Sequence, residues 1–148
     1  PAKQWPVASF AQLGSMLQNT FRAEIIIIGA GSEVEIGKSI ASLMEKKPCI
    51  TMGQTSLLDL AGILKAVSLV VSNDSGPMHL ANAVHTPVVA LFGPTDPQIT
   101  GPLQQPSAVI KKEVPCWPCK YRKCPIDHRC MNEINPEEVF TICKEFLK

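Results

Sequence analysis

Four consecutive isoleucines, residues 25–28, lead directly into the glycine-containing segment 29–32. Branched side chains favour β-strands, and a strand that is apolar on both faces is typical of a parallel sheet covered by helices on each side. Apolar residues at helical spacing follow over residues 33–46. This run therefore predicts one strand-to-helix step of a doubly wound α/β sheet.

The same alternation of strand and helix patterns continues along the chain, with short connections that favour right-handed crossovers and a parallel sheet. Asn135 and Pro136 mark the start of the last helix, as a cap and a first-turn proline. The predicted elements are helices at 7–19, 56–64, 78–84 and 136–147 and strands at 49–52, 69–71, 88–92 and 108–110.

Length and composition bound the classes of protein that this chain can represent. Its 148 residues correspond to one ordinary domain, and 45% hydrophobic with 18% charged residues is the composition of a globular domain. Fourteen Lys and Arg against thirteen Asp and Glu leave a net charge of +1, which argues against a nucleic-acid-binding module. No apolar run approaches the ~20 residues of a membrane-spanning helix.

The segment 73–79 is the most informative loop, because it joins a predicted buried strand to a predicted helix. Ligands of open α/β sheets bind at such carboxyl ends of strands. Gly76 allows a ligand to approach the backbone closely, and the free N–H groups of the helix start attract anions. Ser75 adds a hydroxyl donor, and His79 lies one turn into the helix.

Simpler interpretations of this loop stand beside the functional one. Asp74 or Ser75 is then only a helix cap, and His79 is a structural residue. The charge of Asp74 repels phosphate, so we expect its carboxylate to bind the backbone as a cap, or to bind sugar hydroxyls.

The glycine segment at 29–32 lacks the third glycine of the dinucleotide-binding fingerprint. Glu33 follows it, and two interpretations are open: an acceptor for ribose hydroxyls, or a first-turn acid that suits the helix dipole. The sequence shows no catalytic Ser-His-Asp order, no paired carboxylates and no zinc-protease motif, so it predicts a binding site without an evident general base.

Six cysteines are present, and four of them, Cys116, Cys119, Cys124 and Cys130, crowd into fifteen positions. Three states are open for this cluster: a structural zinc or iron bound by four thiolates, disulfides, or free thiols. The spacing is tighter than in zinc sites whose two pairs lie about 12–20 residues apart. We expect the loop 113–135 to be held beside the last helix, and Cys49 and Cys143 to be small buried apolar residues.

Three motifs occur in order: Lys3-x-Trp5-Pro6, then residues 74–81 (DSGPMHLA), then Pro87-x-x-x-Leu91-Phe92-Gly93-Pro94-Thr95. Together they resemble the C-terminal half of glycosyltransferase family 9, the heptosyltransferases of lipopolysaccharide core assembly. The cysteine segment and the tripeptide at 135–137 are most similar to the heptosyltransferase II branch. The resemblance implies two Rossmann-like domains facing across a cleft, the B-type glycosyltransferase fold, with residues 1–148 as the C-terminal donor-binding domain.

The resemblance also implies roles for individual residues in binding ADP-heptose. Lys3 meets the diphosphate, and Glu33 holds the ribose. The adenosine pocket is lined by Thr55, Ser56 and Leu57, and the diphosphate and heptose are held by Asp74, Ser75, Gly76 and His79. The general base is an Asp of the other domain, absent from this sequence, so the chain alone is expected to be inactive. Transfer is inverting and requires no cofactor.

Further implications concern partners and location. The acceptor is the lipopolysaccharide inner core, and the whole enzyme is expected in the cytoplasm, associated peripherally with the inner face of the inner membrane of a Gram-negative bacterium. Two alternatives remain open from the residues: the nucleotide-sugar-binding domain of another sugar-modifying enzyme, and a non-catalytic nucleotide-binding domain.

Overall fold

The computed structural model describes residues 2–119 and 121–147, and these form an α/β domain with parallel strands. A single 3₁₀ turn, Gly31–Glu33, precedes α2. The helices are α1 (Val7–Phe21), α2 (Val34–Ser42), α3 (Leu57–Ala66), α4 (Gly76–Ala83), α5 (Pro97–Thr100), α6 (Arg129–Asn132) and α7 (Pro136–Phe146). The strands are β1 (Ile26–Ile27), β2 (Cys49–Ile50), β3 (Val70–Asn73), β4 (Val88–Phe92) and β5 (Ser107–Lys111).

The described strands form two groups, and within each group the neighbouring strands pair in parallel. β1 pairs with β2, with Ile26 opposite Cys49. β4 lies between β3 and β5, with Val88 opposite both Val70 and Ser107. Because the strands run parallel, the loops that follow β3 and β4 emerge at the same edge of the sheet.

β4 is the centre of the core, since all five of its residues are buried. Its side chains alternate between the two faces of the sheet, as a pleated strand requires. Val89 and Leu91 join a cluster with residues of α1 and α7. The other three, at positions 88, 90 and 92, join a cluster with Leu64 of α3 and Met78 of α4. Helices therefore cover both faces, which confirms the doubly wound α/β prediction.

Several local predictions need correction. The isoleucine run was expected to be covered on both faces, but Ile26 is 37% exposed, and β1 is a two-residue strand whose ladder partner among the described residues is β2 alone. Cys49 is exposed rather than buried, because it lies on that same short ladder. The helix predicted to reach residue 46 ends at Ser42. Neither α5 nor α6 was predicted, since four-residue helices carry too little periodicity to detect.

Residues 113–135 are hereafter called the cysteine loop. Its described residues, 113–119 and 121–135, contain α6 but otherwise no helix or strand. The loop is nevertheless anchored, because Cys130, Met131 and Ile134 are buried in the same core cluster as Val139 and Cys143 of α7. Asn135 caps α7 by accepting the N–H of Glu137 at 2.9 Å, as predicted.

Among the helices of the described residues, none has the length and apolar character that crossing a bilayer requires.

Candidate functional site

A buried carboxylate lies at the carboxyl end of β3, where the sequence places Asp74. The Asp74 side chain is 4% exposed, and its Oδ2 accepts a hydrogen bond from Lys3 Nζ at 2.5 Å. The same oxygen accepts Thr95 Oγ1 at 2.7 Å and Thr100 Oγ1 at 3.4 Å. Within residues 2–119 and 121–147, every hydrogen bond to this carboxylate ends on Oδ2. A buried charge of this kind requires such partners, because leaving it unpaired costs several kcal/mol.

Lys3 reaches Asp74 because the residues after it are firmly anchored. The backbone N–H of Trp5 donates to Asn73 Oδ1 at 3.1 Å, next to Asp74 in the chain. The indole N–H of Trp5 donates to the carbonyl of Ile134 at 3.0 Å, and the ring is fully buried. Two hydrogen bonds and a buried ring therefore place the Lys3 ammonium beside the loop after β3, with the Lys3 side chain as a whole 44% exposed.

The interpretation of Asp74 as a backbone cap is wrong, because its carboxylate is occupied by Lys3 and two threonines. Ser75 holds the N-cap position of α4, but it makes no side-chain cap hydrogen bond. Its Oγ instead lies 3.1 Å from Ser72 Oγ. The Lys3 ion pair also changes the electrostatic argument, since the negative charge that was expected to repel phosphate is balanced locally.

The start of α4 is open to solvent and has no side-chain cap. Gly76 is exposed, and a Cβ added there has no heavy atom within 4 Å. His79 is exposed one turn into the helix. In this first turn Pro77 carries no N–H, and the N–H of Met78 donates to the carbonyl of Ser75 at 3.2 Å. The N–H of Gly76 and the positive end of the helix dipole are what suit an anionic group here.

A second group of predicted site residues lies where β1 and β2 end. Glu33 Oε2 accepts the backbone N–H of Ala30 at 3.0 Å and so stabilises the loop before α2. Gly53 has a φ of 70°, and a Cβ there would lie 2.7 Å from the Cα of Gly31. Because only glycine avoids this clash, the two loops pack backbone to backbone.

Ser56 is the cap of α3, as one of the two predicted candidates. Its Oγ accepts the N–H of Asp59 at 3.2 Å and donates to Asp59 Oδ2 at 2.6 Å. The hydrogen bond from Ser56 Oγ lowers the pKa of Asp59, and the backbone N–H of Ser56, which donates to the same Oδ2 at 2.9 Å, lowers it further. Leu57 is 73% exposed at the first turn, and Thr55 is partly exposed. The Ser56 hydroxyl is therefore engaged by the helix, whereas Leu57 presents an apolar surface to solvent.

The predicted site residues thus lie at two places. Lys3 and Asp74 are joined directly after β3, where α4 also begins. Glu33 and residues 55–57 follow the two loops that meet at Gly31 and Gly53.

The sequence analysis assigned no role to Thr95 and did not single out Thr100 or Trp117. Thr95 belongs to the Gly93-Pro94-Thr95 segment, which directly follows a buried strand. That position in the sequence could have identified Thr95 as a candidate site residue. Thr100 lies on α5, which was not predicted, and Trp117 donates from its indole N–H to the carbonyl of Thr95 at 3.2 Å.

Within the described residues, no disulfide joins any of the six cysteines. Burial raises the pKa of the Cys130 thiol, and electrostatic repulsion from the neighbouring Cys119, Cys116 and Cys124 raises this pKa further. Among the residues that the structure describes, no three His, Cys, Asp or Glu side chains are arranged to hold a metal ion. The structural metal inferred from the cysteine spacing therefore stays a prediction.

Comparison of this chain with known proteins identifies one family. Residues 1–129 match the sequence profile of glycosyltransferase family 9 (heptosyltransferase). The chain is 32% identical over 153 residues to lipooligosaccharide heptosyltransferase 2 of Campylobacter jejuni subsp. jejuni serotype O:2, covering 99% of this chain and 47% of that protein.

Two solved structures share the fold. The structure of E. coli ADP-heptose lps heptosyltransferase II superposes with a TM-score of 0.87 and 28% identity, covering 99% of this chain and 43% of that one. The structure of E. coli heptosyltransferase WaaC with ADP gives a TM-score of 0.71 and 25% identity, covering 97% and 40%. The chain thus spans less than half the length of each of these proteins, and it belongs to glycosyltransferase family 9 (heptosyltransferase).

Proposed function

We propose that this chain is the C-terminal donor-binding domain of an inverting heptosyltransferase, and that its donor is ADP-heptose. The observation that carries the proposal is the Lys3–Asp74 ion pair, 2.5 Å between Nζ and Oδ2, beside the uncapped start of α4. A cation and the positive end of a helix dipole at one strand end form an environment for a diphosphate. The names of the relatives in this family support heptose as the sugar.

The Lys3 ammonium carries three N–H donors, of which Asp74 takes one. In this proposal the two remaining donors bind the diphosphate, where they stabilise the negative charge that develops as ADP leaves. Such electrostatic stabilisation is commonly the largest single contribution to catalysis. In this proposal Asp74 also accepts a sugar hydroxyl at Oδ1, since the hydrogen bonds from Lys3, Thr95 and Thr100 all end on Oδ2. Ser75, Gly76 and His79 complete this end of the donor site.

The nucleoside end of the donor fits the second group of residues. Glu33 accepts ribose hydroxyls in this proposal while its Oε2 keeps the hydrogen bond to Ala30. The exposed side chain of Leu57, with Thr55 and Ser56, covers the adenine ring.

The acceptor is proposed to be the inner core of lipopolysaccharide, and the general base an Asp of an N-terminal domain that also binds this acceptor. The protein then works at the cytoplasmic face of the inner membrane of a Gram-negative bacterium, through peripheral association. We also propose that Cys116, Cys119, Cys124 and Cys130 bind a zinc or iron ion. This ion would be structural and would take no part in sugar transfer.

The test is a calorimetric titration of this chain with ADP, UDP, GDP and adenosine. We expect ADP to bind most tightly and to raise the thermal unfolding midpoint, because ligands of the folded state stabilise it. A preference for UDP or GDP would instead favour another sugar-modifying enzyme of the same fold. Binding of none of the nucleotides would contradict the proposal.

A further inference from the structure

The cysteine loop contacts the donor site at two points. On one side, the indole N–H of Trp117 donates to the carbonyl of Thr95 at 3.2 Å. On the other side, the backbone N–H of Ala2 donates to the carbonyl of Arg122 at 3.0 Å. The ring nitrogen Nε2 of His128 lies 2.5 Å from the carbonyl oxygen of Ala2. The loop therefore holds both the residue before Lys3 and the residue that hydrogen-bonds Asp74.

Trp117 is itself locked in place. Its backbone N–H donates to the carbonyl of Val114 at 2.9 Å. The ammonium of Lys111 lies 4.1 Å from the centre of the indole ring, a cation–π contact that fixes the ring plane. The indole that reaches Thr95 is therefore held by the backbone of Val114 and by Lys111, the last residue of β5.

A chain of hydrogen bonds leads from this ring to the site. The Trp117 N–H holds the backbone of Thr95, and Thr95 Oγ1 donates to Asp74 Oδ2 at 2.7 Å. The same Oδ2 holds the Lys3 ammonium at 2.5 Å. The Thr95 hydroxyl rotates about a single bond. Its hydrogen bond therefore orients the Asp74 carboxylate only when the backbone of Thr95 is itself held in place.

We propose that Trp117 is a positioning residue for the diphosphate site, acting through Thr95 on the Lys3–Asp74 pair. This inference rests on the proposed function. It gives the cysteine loop a part in donor binding through Trp117, separate from the structural role proposed for its four cysteines. The ligand in question is a nucleoside diphosphate. Trp117 affects binding of its diphosphate and does not affect binding of its nucleoside.

The experiment compares Trp117→Phe with the unchanged chain in titrations with ADP and with adenosine. Phenylalanine keeps an aromatic ring but removes the N–H donor. We expect ADP affinity to fall roughly three- to tenfold, the effect of one net hydrogen bond, while adenosine affinity stays the same. Tyr121→Phe is the matched control, because it removes one polar hydrogen from an exposed aromatic residue of the same loop. This control is expected to bind both ligands normally.

A double-mutant cycle with Thr95→Val separates positioning from folding. Valine removes the Oγ1 donor, so the selective loss of ADP affinity should appear here too. The two substitutions together should cost no more than the larger one, since both act through the same hydrogen bond to Asp74. Denaturant unfolding of each variant identifies any that fails to fold, and Trp117→Tyr, which also removes the indole N–H, repeats the comparison if Trp117→Phe is one of them.

The outcomes distinguish this inference from the proposed function. If the unchanged chain binds no ADP, both fail. If it binds ADP and Trp117→Phe binds equally well, only the positioning role fails. Equal losses for ADP and adenosine, or additive effects in the cycle, would also overturn it, because they would show that Trp117 acts through the fold as a whole.

Discussion

The ammonium of Lys3 and the carboxylate of Asp74 are 71 residues apart in the chain and 2.5 Å apart in the structure. Asp74 is almost fully buried while Lys3 is about half exposed, so the pair lies at the boundary between the core and solvent. A cation in this position is held by one carboxylate and remains accessible to a ligand. The following predictions test this arrangement and the residues around it.

Replacing Lys3 by alanine should weaken binding of ADP far more than binding of adenosine, because the partner proposed for its ammonium is phosphate. Hydrogen bonds to charged groups contribute about 1.5–3 kcal/mol, so a loss of that size is expected for ADP. Titration calorimetry with both ligands measures it. A similar loss for adenosine would show that residue 3 acts through packing around Trp5.

The same substitution should also destabilise the fold, because it leaves the Asp74 carboxylate buried without its cation. We expect the free energy of unfolding to fall by about 1–3 kcal/mol, less than for a fully buried pair since Lys3 is partly exposed. Adding Asp74→Asn to Lys3→Ala removes the unpaired charge and should restore part of this stability. Urea unfolding of the single and double variants measures the free energy of unfolding. A double variant that is less stable than Lys3→Ala would contradict the interpretation.

Gly76→Val should abolish protection of the fold by ADP while leaving the fold itself intact. The added side chain meets no heavy atom within 4 Å at its Cβ, so it projects into the space at the start of α4 that the diphosphate is proposed to fill. Gly62→Val is the matched control, because Gly62 lies in α3 and also has open space around its Cβ. Thermal melting with and without ADP tests both variants. Normal protection of Gly76→Val would place the anion site elsewhere.

Stability should fall as the pH rises above about 9, because of the buried thiol of Cys143. Burial raises the pKa of Cys143 from 9.0 to about 12 in the folded chain. In this range the unfolded chain loses the thiol proton while the folded chain keeps it. The contribution of the neutral thiol is therefore complete below pH 9 and lost as the pH approaches 12, by up to about 1.4 kcal/mol per pH unit.

Denaturant unfolding between pH 8 and pH 11 measures this slope. Cys143→Ala removes the titrating group, so its stability should be lower at pH 8 but should decline less steeply above pH 9. Identical slopes for the variant and the unchanged chain would show that the thiol of Cys143 does not set this pH dependence.

A structural metal on Cys116, Cys119, Cys124 and Cys130 predicts one tightly held zinc or iron per chain after purification under reducing conditions. Four thiols should then resist a thiol reagent until a chelator is added, whereas Cys49, which is exposed, should react at once. Elemental analysis and thiol counting make the measurement. Six freely reactive thiols in unfolded protein, with no bound metal in the folded chain, would eliminate the site.

The alternation of apolar strands and amphipathic helices was sufficient to predict the α/β fold, because each pattern depends on local periodicity alone. The capping of α3 by Ser56 and of α7 by Asn135 was predictable for the same reason, since a cap and its partner are two or three residues apart. Burial was less predictable: Ile26 and Cys49 are apolar in sequence, yet they lie on a short two-stranded ladder that leaves both exposed.

The sequence by itself determined the order of the longer helices and the strands and the family to which the chain belongs, and it predicted the loop after β3 as the place for a ligand. Only the tertiary structure decided what Asp74 does there. From local sequence it was a candidate helix cap, but in the folded chain its carboxylate binds Lys3, Thr95 and Thr100. The physical reason is distance along the chain: a cap is made within one turn, whereas this pair forms because Trp5 is buried against Ile134, 129 residues away.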